Sequence, residues 1–152
     1  MSTNTNAARP ARLSRGIRFA NGVMLGLLRA GVPVGPMRVL TVPGRTSGQP
    51  RRTPITPVEV GGRRYLVQAF PQAGWVKNAR AAGSGTLGRG RRQDPVRLVE
   101  LSRDERAAIL EELPRVAARA VGIYVRNGMV DAPTPEAFAA AAPRCAVFRI
   151  EP

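Results

Sequence analysis

The 152-residue chain contains no histidine. That absence removes Ser-His-Asp hydrolysis, His-ligated zinc and imidazole general-base chemistry. Cysteine is nearly absent too. Cys145 stands alone, so there is no intramolecular disulfide, and no metal site is expected. Acidic residues are scarce, 10 against 24 lysines and arginines, for a formal net charge of +14. Lys77 is the sole lysine, so the positive charge is carried by arginine. Aromatic residues make up only 5% of the chain, few for a surface that stacks bases. Long hydrophobic runs are missing. The most apolar early stretch, Phe19 to Leu28, is about ten residues long and is interrupted by Asn21, whereas a bilayer span needs roughly 20. The N-terminus shows no apolar core followed by a small-residue cleavage site, so a cytoplasmic location is expected.

What is present is a globular composition. Hydrophobic residues reach 43%, and the length suits one domain with a real core. The arginine excess points to an anion site, because guanidinium grips phosphate and carboxylate through two parallel hydrogen bonds, as ammonium cannot. A solvated arginine-rich surface is the plainer reading. Three anions fit the sharper one: nucleic acid, an anionic membrane surface, or a cofactor bearing phosphate and carboxylates.

Residues 1–10 are polar and are expected to form a disordered tail, with a single domain over 11–152. Arg12 to Ala30 has the pattern of an amphipathic helix. Leu13, Ile17, Ala20, Met24, Leu27 and Leu28 share one stripe, opposite Arg12, Arg15, Arg18 and Arg29. Gly31 and Pro33 stop it. Such a helix either packs across the core or rests on anionic lipid at the inner membrane face.

Strands follow. Arg38 to Val42 is a short one. Thr53 to Val60 and Arg63 to Phe70 flank Gly61-Gly62, which suits a primed hairpin turn. Gln72 to Ala82 predicts a helix closed by Gly83. Thr86 to Arg91 and Pro95 to Leu101 predict a second hairpin around Gln93-Asp94. Ser102 and Glu105 form a capping box for a helix that runs to about Arg119 with a bend at Pro114. Thr134-Pro135 opens a small alanine-rich helix, and Cys145 to Ile150 is a final strand in the core of the sheet. This order predicts an α+β fold: a mostly antiparallel sheet curled into a small barrel, with peripheral helices.

Two segments could carry chemistry. In Gly44-Arg45-Thr46-Ser47-Gly48-Gln49-Pro50-Arg51-Arg52, glycines permit exposed backbone N–H groups, hydroxyls add donors, and arginines add forks. Together they make a candidate anion cradle, although composition alone favours an ordinary basic hairpin connection. In Gly74-Trp75-Val76-Lys77-Asn78, Trp75 and Asn78 lie three apart and share a helical face. They are either a core anchor with its polar neighbour, or an aromatic wall and a donor lining one ligand.

Leu40 to Arg51, then Thr53-Pro54, the Gly61-Gly62 turn, Trp75 to Asn78 and Arg80-Ala-Ala-Gly83, taken in this order, resemble the deazaflavin-dependent nitroreductase family. The resemblance covers about Met37 to Leu101. It implies a split β-barrel and a reduced 8-hydroxy-5-deazaflavin coenzyme, coenzyme F-420. It also implies hydride transfer to an electron-poor small molecule such as a quinone, enone or nitro compound. By this resemblance Arg45, Ser47 and Arg51 hold the coenzyme's phosphate and oligoglutamate tail, within a cradle that includes Thr46, Gly48 and Gln49. Pro54 and Thr56 flank the ring, and Trp75 and Asn78 line the same groove. The proton comes from solvent or a hydroxyl, for which Tyr124 and Ser47 are the catalytic candidates. Hydride chemistry needs no histidine, cysteine or metal, because the cofactor supplies the reactive carbon. Two alternatives stay open: a split-barrel oxidase that binds FMN, and a non-catalytic basic barrel that binds nucleic acid or another anionic ligand.

Overall fold

Between Met37 and Glu100, short β-branched runs alternate with glycine and proline, and these runs become strands. The computed structural model describes Val23, Leu25 and residues 36–152. The expected tail over 1–10 lies outside the described residues. So does the expected helix over Arg12–Ala30, apart from Val23 and Leu25, which are both helical. The elements are β1 (Arg38–Pro43), β2 (Pro50–Ile55), β3 (Val58–Val60), β4 (Arg63–Val67), α1 (Gly74–Ala82), β5 (Ser84–Arg89) and β6 (Arg92–Glu100). Then come α2 (Arg103–Val116), a 3-10 turn (Ala118–Ala120), α3 (Val121–Arg126), α4 (Pro135–Ala140) and β7 (Val147–Glu151). All strand pairings are antiparallel, in the order β2-β1-β5-β6-β7-β4-β3.

That order forces the sheet to curl. The two terminal strands, β2 and β3, are consecutive in the chain and are joined only by Thr56-Pro57. Six strand spacings would hold the edges of a flat sheet about 29 Å apart. Ile55 to Val58 can span at most about 11 Å. The edges therefore come together, and the sheet becomes a half-barrel. The same link corrects the expected single strand over Thr53–Val60. Pro57 cannot donate to a ladder and restricts Thr56 before it, so the run breaks into two strands at opposite ends of the sheet.

Turn chemistry explains one agreement and one correction. Gly61 and Gly62 both have positive φ, 58° and 75°, as a primed turn between β3 and β4 requires. The β5–β6 turn falls at Gly90-Arg91 rather than Gln93-Asp94. Gly90 takes φ 61°, while Gln93 and Asp94 pair in the ladder with Gly88 and Leu87. Helix α1 ends as expected on Gly83, whose φ is 65° and whose N–H donates to the Ala79 carbonyl at 2.8 Å.

Ser102 caps α2. Its Oγ accepts from the Glu105 N–H at 3.3 Å, and its own N–H donates to Glu105 Oε2 at 2.9 Å. The helix stops at Val116, short of Arg119, and tightens into the 3-10 turn. Thr134 Oγ1 accepts from the Ala137 N–H at 3.2 Å and caps α4.

Side-chain alternation along β4 and β7 builds two cores. Leu66, Phe148 and Ile150 face one cluster with Leu40, Val42 and α1. Tyr65, Val67 and Val147 face the other, with Leu110, Leu113 and Phe138 from α2 and α4. Because β7 is buried on both faces between β6 and β4, the Cys145–Ile150 run is almost continuously apolar.

Candidate functional site

The loop between β1 and β2 folds on its own backbone. The Gly44 N–H donates to the Gln49 carbonyl, and the Gly48 N–H donates to the Gly44 carbonyl, both at 2.8 Å. Gly48 has φ 70°, which favours glycine there. Ser47 Oγ accepts from the Gln49 N–H at 3.2 Å, which leaves the serine proton free to donate outward.

Gly44 is buried beneath this loop. A Cβ added there would meet Ser47 Oγ at 3.0 Å and Arg51 Nε at 3.3 Å. The bare glycine thus lets a hydroxyl and a guanidinium converge over one spot. Arg45 is held beside them by α1. Asn78 Oδ1 accepts from the Arg45 backbone N–H at 3.2 Å and from Arg45 Nη1 at 3.0 Å. Asn78 is buried, so its position is set by packing. Helix α1 is tied to β6 by the Arg80 fork on Glu100, at 2.9 and 2.7 Å.

The structure therefore brings Arg45, Ser47, Arg51 and Asn78 together, with Gln49 closing the loop and Thr46 exposed on it. It does not bring in every expected residue. Trp75 is buried in the core against Phe148, with ring centroids 5.6 Å apart at 56°. It anchors α1, and its position does not support the expected groove wall. Tyr124 belongs to the other core, edge-on to Phe138 at 5.5 Å. Burial pushes its phenol well above the ordinary range, with Cys145 a lesser cause, so the hydroxyl keeps its proton inside that core. Pro54 pairs with Val39 and lies on the face of β2 opposite Arg51, while Thr56 is exposed in the β2–β3 link.

Register sorts the two adjacent arginines. Arg51 pairs with Val42 and shares the core-side face with the cradle. Arg52 pairs with Thr41 and points to the other side. There an open cleft of about 550 Å³ runs past Thr41, Pro50, Thr86 and Pro95. A neighbouring depression of about 450 Å³ shares Thr41, Pro50 and Thr86 with it and reaches Arg52 and Arg91. Arg52 thus leaves the run in which the sequence grouped it with Arg51. Two adjacent residues in a strand must straddle the sheet, so the Arg51-Arg52 pair itself carried the signal for this separation.

Charge is segregated. The ten acidic residues all lie at Glu59 or beyond. Among the described residues, every ion pair uses an arginine from Arg80 onward. Arg38, Arg45, Arg51, Arg52, Arg64, Arg89 and Arg91 make none. Burial pushes the Arg38 guanidinium below its ordinary value, and crowding by Arg89 and Arg64 adds to this. The strands around the β1–β2 loop thus carry unpaired arginines on both faces of the sheet, a cationic field that includes the arginine-serine cradle. That donor set fits a ligand carrying phosphate and carboxylates.

Residues 16–133 match the model of the F420H2-dependent quinone reductase family. The chain belongs to that family. It is accordingly an oxidoreductase that depends on reduced coenzyme F-420. No functionally curated protein matches it. Among solved structures, an F420-H2 dependent reductase (FDR-A) is 21% identical, with 76% of this chain and 94% of that one covered and a TM-score of 0.51. A second solved structure, described only as a domain-swapped dimer, is 20% identical, with 90% of this chain and 99% of that one covered and a TM-score of 0.55. At these identities the likeness is one of fold, and it agrees with the curled antiparallel sheet. No described helix is long and apolar enough to cross a membrane.

Proposed function

We propose that this F420-dependent reductase holds its coenzyme by the phosphate in the Gly44–Arg51 cradle and delivers hydride to a quinone, with enones and nitro compounds as further acceptors. The observation that carries this is the convergence of Ser47 Oγ and Arg51 Nε over Gly44, beside an Arg45 fixed by Asn78. When bound, the reduced deazaflavin supplies the hydride. Arg45 and Arg51 supply two positive forks for the phosphate, and Ser47 supplies a hydroxyl donor. Pro54 and Thr56, on the edge strand and its exit, are proposed to flank the ring. With Tyr124 buried, the proton is assigned to solvent or to the exposed Ser47 hydroxyl.

FMN carries a phosphate but no polycarboxylate tail, so it would use less of the cationic field. Nucleic acid is disfavoured because, among the described aromatic residues, Trp75, Tyr65, Tyr124, Phe138 and Phe148 are buried, which leaves only the half-buried Phe70 for stacking. The Arg12–Ala30 segment is the element proposed to meet an anionic membrane surface from the cytoplasmic side.

Fluorescence titration with coenzyme F-420 and FMN side by side tests the reading. Tighter binding of F-420 is expected. Arg45→Ala and Arg51→Ala are each expected to weaken it by about 1.5–3 kcal/mol, the worth of a charge-assisted contact. Unchanged affinity in both variants would remove the cradle from the site.

A further inference from the structure

At the end of β1 away from the cradle, three arginines gather on the inner side of the sheet. Arg38 stands two residues before Leu40, Arg64 two before Leu66, and Arg89 two after Leu87. Those three leucines belong to one core. Strand alternation therefore turns the three arginines to that same inner side. The pairing of Val39 with Gly88 sets Arg89 across from Arg38. Arg64 arrives by the closure of the sheet. Arg38 pairs with Ile55, Val58 pairs with Tyr65, and only Thr56-Pro57 separates Ile55 from Val58. Arg38 is half-buried, and both neighbours crowd its charge. Its Nη1 donates to the Met37 carbonyl at 3.1 Å. No carboxylate among the described residues forms an ion pair with any of the three. Glu59 stands opposite Arg64 without pairing, Asp94 is taken by Arg92, and residues 1–35 contain no acid.

Guanidinium groups that converge without a counter-charge repel one another. An oxyanion placed between them removes that repulsion and accepts from their forks. We propose that Arg38, Arg64 and Arg89 form a second anion site, separate from the cradle, which takes a phosphate-class oxyanion. Six residues of mostly extended chain run from Arg38 to Gly44, about 20 Å, so one phosphate cannot touch both sites. The site stands whether or not the cradle holds the coenzyme. Free phosphate, a soluble phosphate ester and the phosphodiester of an anionic lipid headgroup all offer the chemistry it would recognise.

The test is thermal unfolding of the whole chain during titration with inorganic phosphate, with ionic strength held constant by chloride. The cradle would also take phosphate, so the starting protein is Arg45→Ala/Arg51→Ala. A saturable rise in Tm is expected there, and none with chloride alone. Changing any one of the three arginines to glutamine should weaken the apparent phosphate affinity by about 2- to 5-fold. Arg38→Gln/Arg64→Gln/Arg89→Gln should abolish the rise. Arg64→Gln/Arg89→Gln touches only exposed positions and reads the same loss should the triple variant unfold. Sedimentation with phosphatidylglycerol vesicles, against phosphatidylcholine, then separates the sources. Vesicle binding weakened by the same substitutions assigns a lipid headgroup, and unchanged vesicle binding assigns a soluble phosphate. No phosphate-specific rise in the Arg45→Ala/Arg51→Ala protein, or a rise that persists undiminished when the three arginines are replaced, overturns the site.

Discussion

Replacing Asn78 separates the residue that grips from the residue that aims. Asn78 Oδ1 accepts two hydrogen bonds from Arg45, at 3.2 Å from the backbone and 3.0 Å from Nη1. Asn78→Ala removes both. The backbone bond is worth about 1 kcal/mol, and the bond to the exposed guanidinium adds at most about 1 kcal/mol after solvent screening. Stability is therefore expected to fall by about 1–2 kcal/mol, a drop of roughly 2–8 °C in Tm for a chain of this size. Coenzyme affinity falls for a different reason. Arg45 keeps its charge but loses its fixed rotamer, which costs about 0.5–1.5 kcal/mol on binding, roughly 2- to 12-fold. Arg45→Ala deletes the contact itself and is expected to cost about 1.5–3 kcal/mol, roughly 10- to 150-fold. Because Asn78 acts through Arg45, the double variant should bind the coenzyme no worse than Arg45→Ala alone. The assay is a double-mutant cycle by fluorescence titration, with thermal unfolding run alongside. Strict additivity of the two losses would falsify the positioning role and place Asn78 on the ligand directly.

Three further outcomes follow from the packing. A Cβ on Gly85 would sit 2.4 Å from the Thr41 carbonyl oxygen, so Gly85→Ala must push β5 from β1 and should cost about 1–3 kcal/mol in denaturant unfolding. Gly74→Ala has open space and should be neutral or mildly stabilising, and equal losses at the two sites would contradict this account. Glu105 is held below its ordinary pKa by the Ser102 N–H, so its contribution is complete above the unfolded value and is lost as pH falls through the folded one. Glu105→Gln removes the titrating carboxylate and should lower Tm at neutral pH and flatten the acid limb of the stability profile. A parallel profile would dismiss the link. Burial pushes the Cys145 thiol up to about 12, so alkylation of the native chain should be slow and should become rapid only in denaturant. Fast native labelling would show that the core opens.

Local chemistry was legible wherever one or two residues decide the backbone. Gly61-Gly62, Gly83, the Ser102–Glu105 box and Thr134-Pro135 all do what their types dictate. The β5–β6 turn was misplaced because Gln93-Asp94 looks turn-like by composition, whereas Gly90 alone offers positive φ cheaply. Helix α3 carries no capping side chain and forms around buried Tyr124, so nothing local announces it. The cradle was legible as a dense run of Gly, Ser and Arg. The part played by Asn78 was only half legible, since its spacing from Trp75 placed both on one face but could not name Arg45 as its partner.

Composition alone narrowed the class of chemistry. With no histidine, one cysteine and an arginine-based positive charge, the chain can hold an anionic cofactor but can build few catalytic centres of its own. The ordered motif from Leu40 to Gly83 pointed to the family. Which side each arginine serves was decided only when β2 paired with β1, because a period of two sends Arg51 to the cradle and Arg52 to the outer cleft. Tertiary packing likewise decided that Trp75 and Tyr124 are buried in the two cores. A large ring gains more from a filled core than from a wet groove, and no local pattern shows which core will claim it.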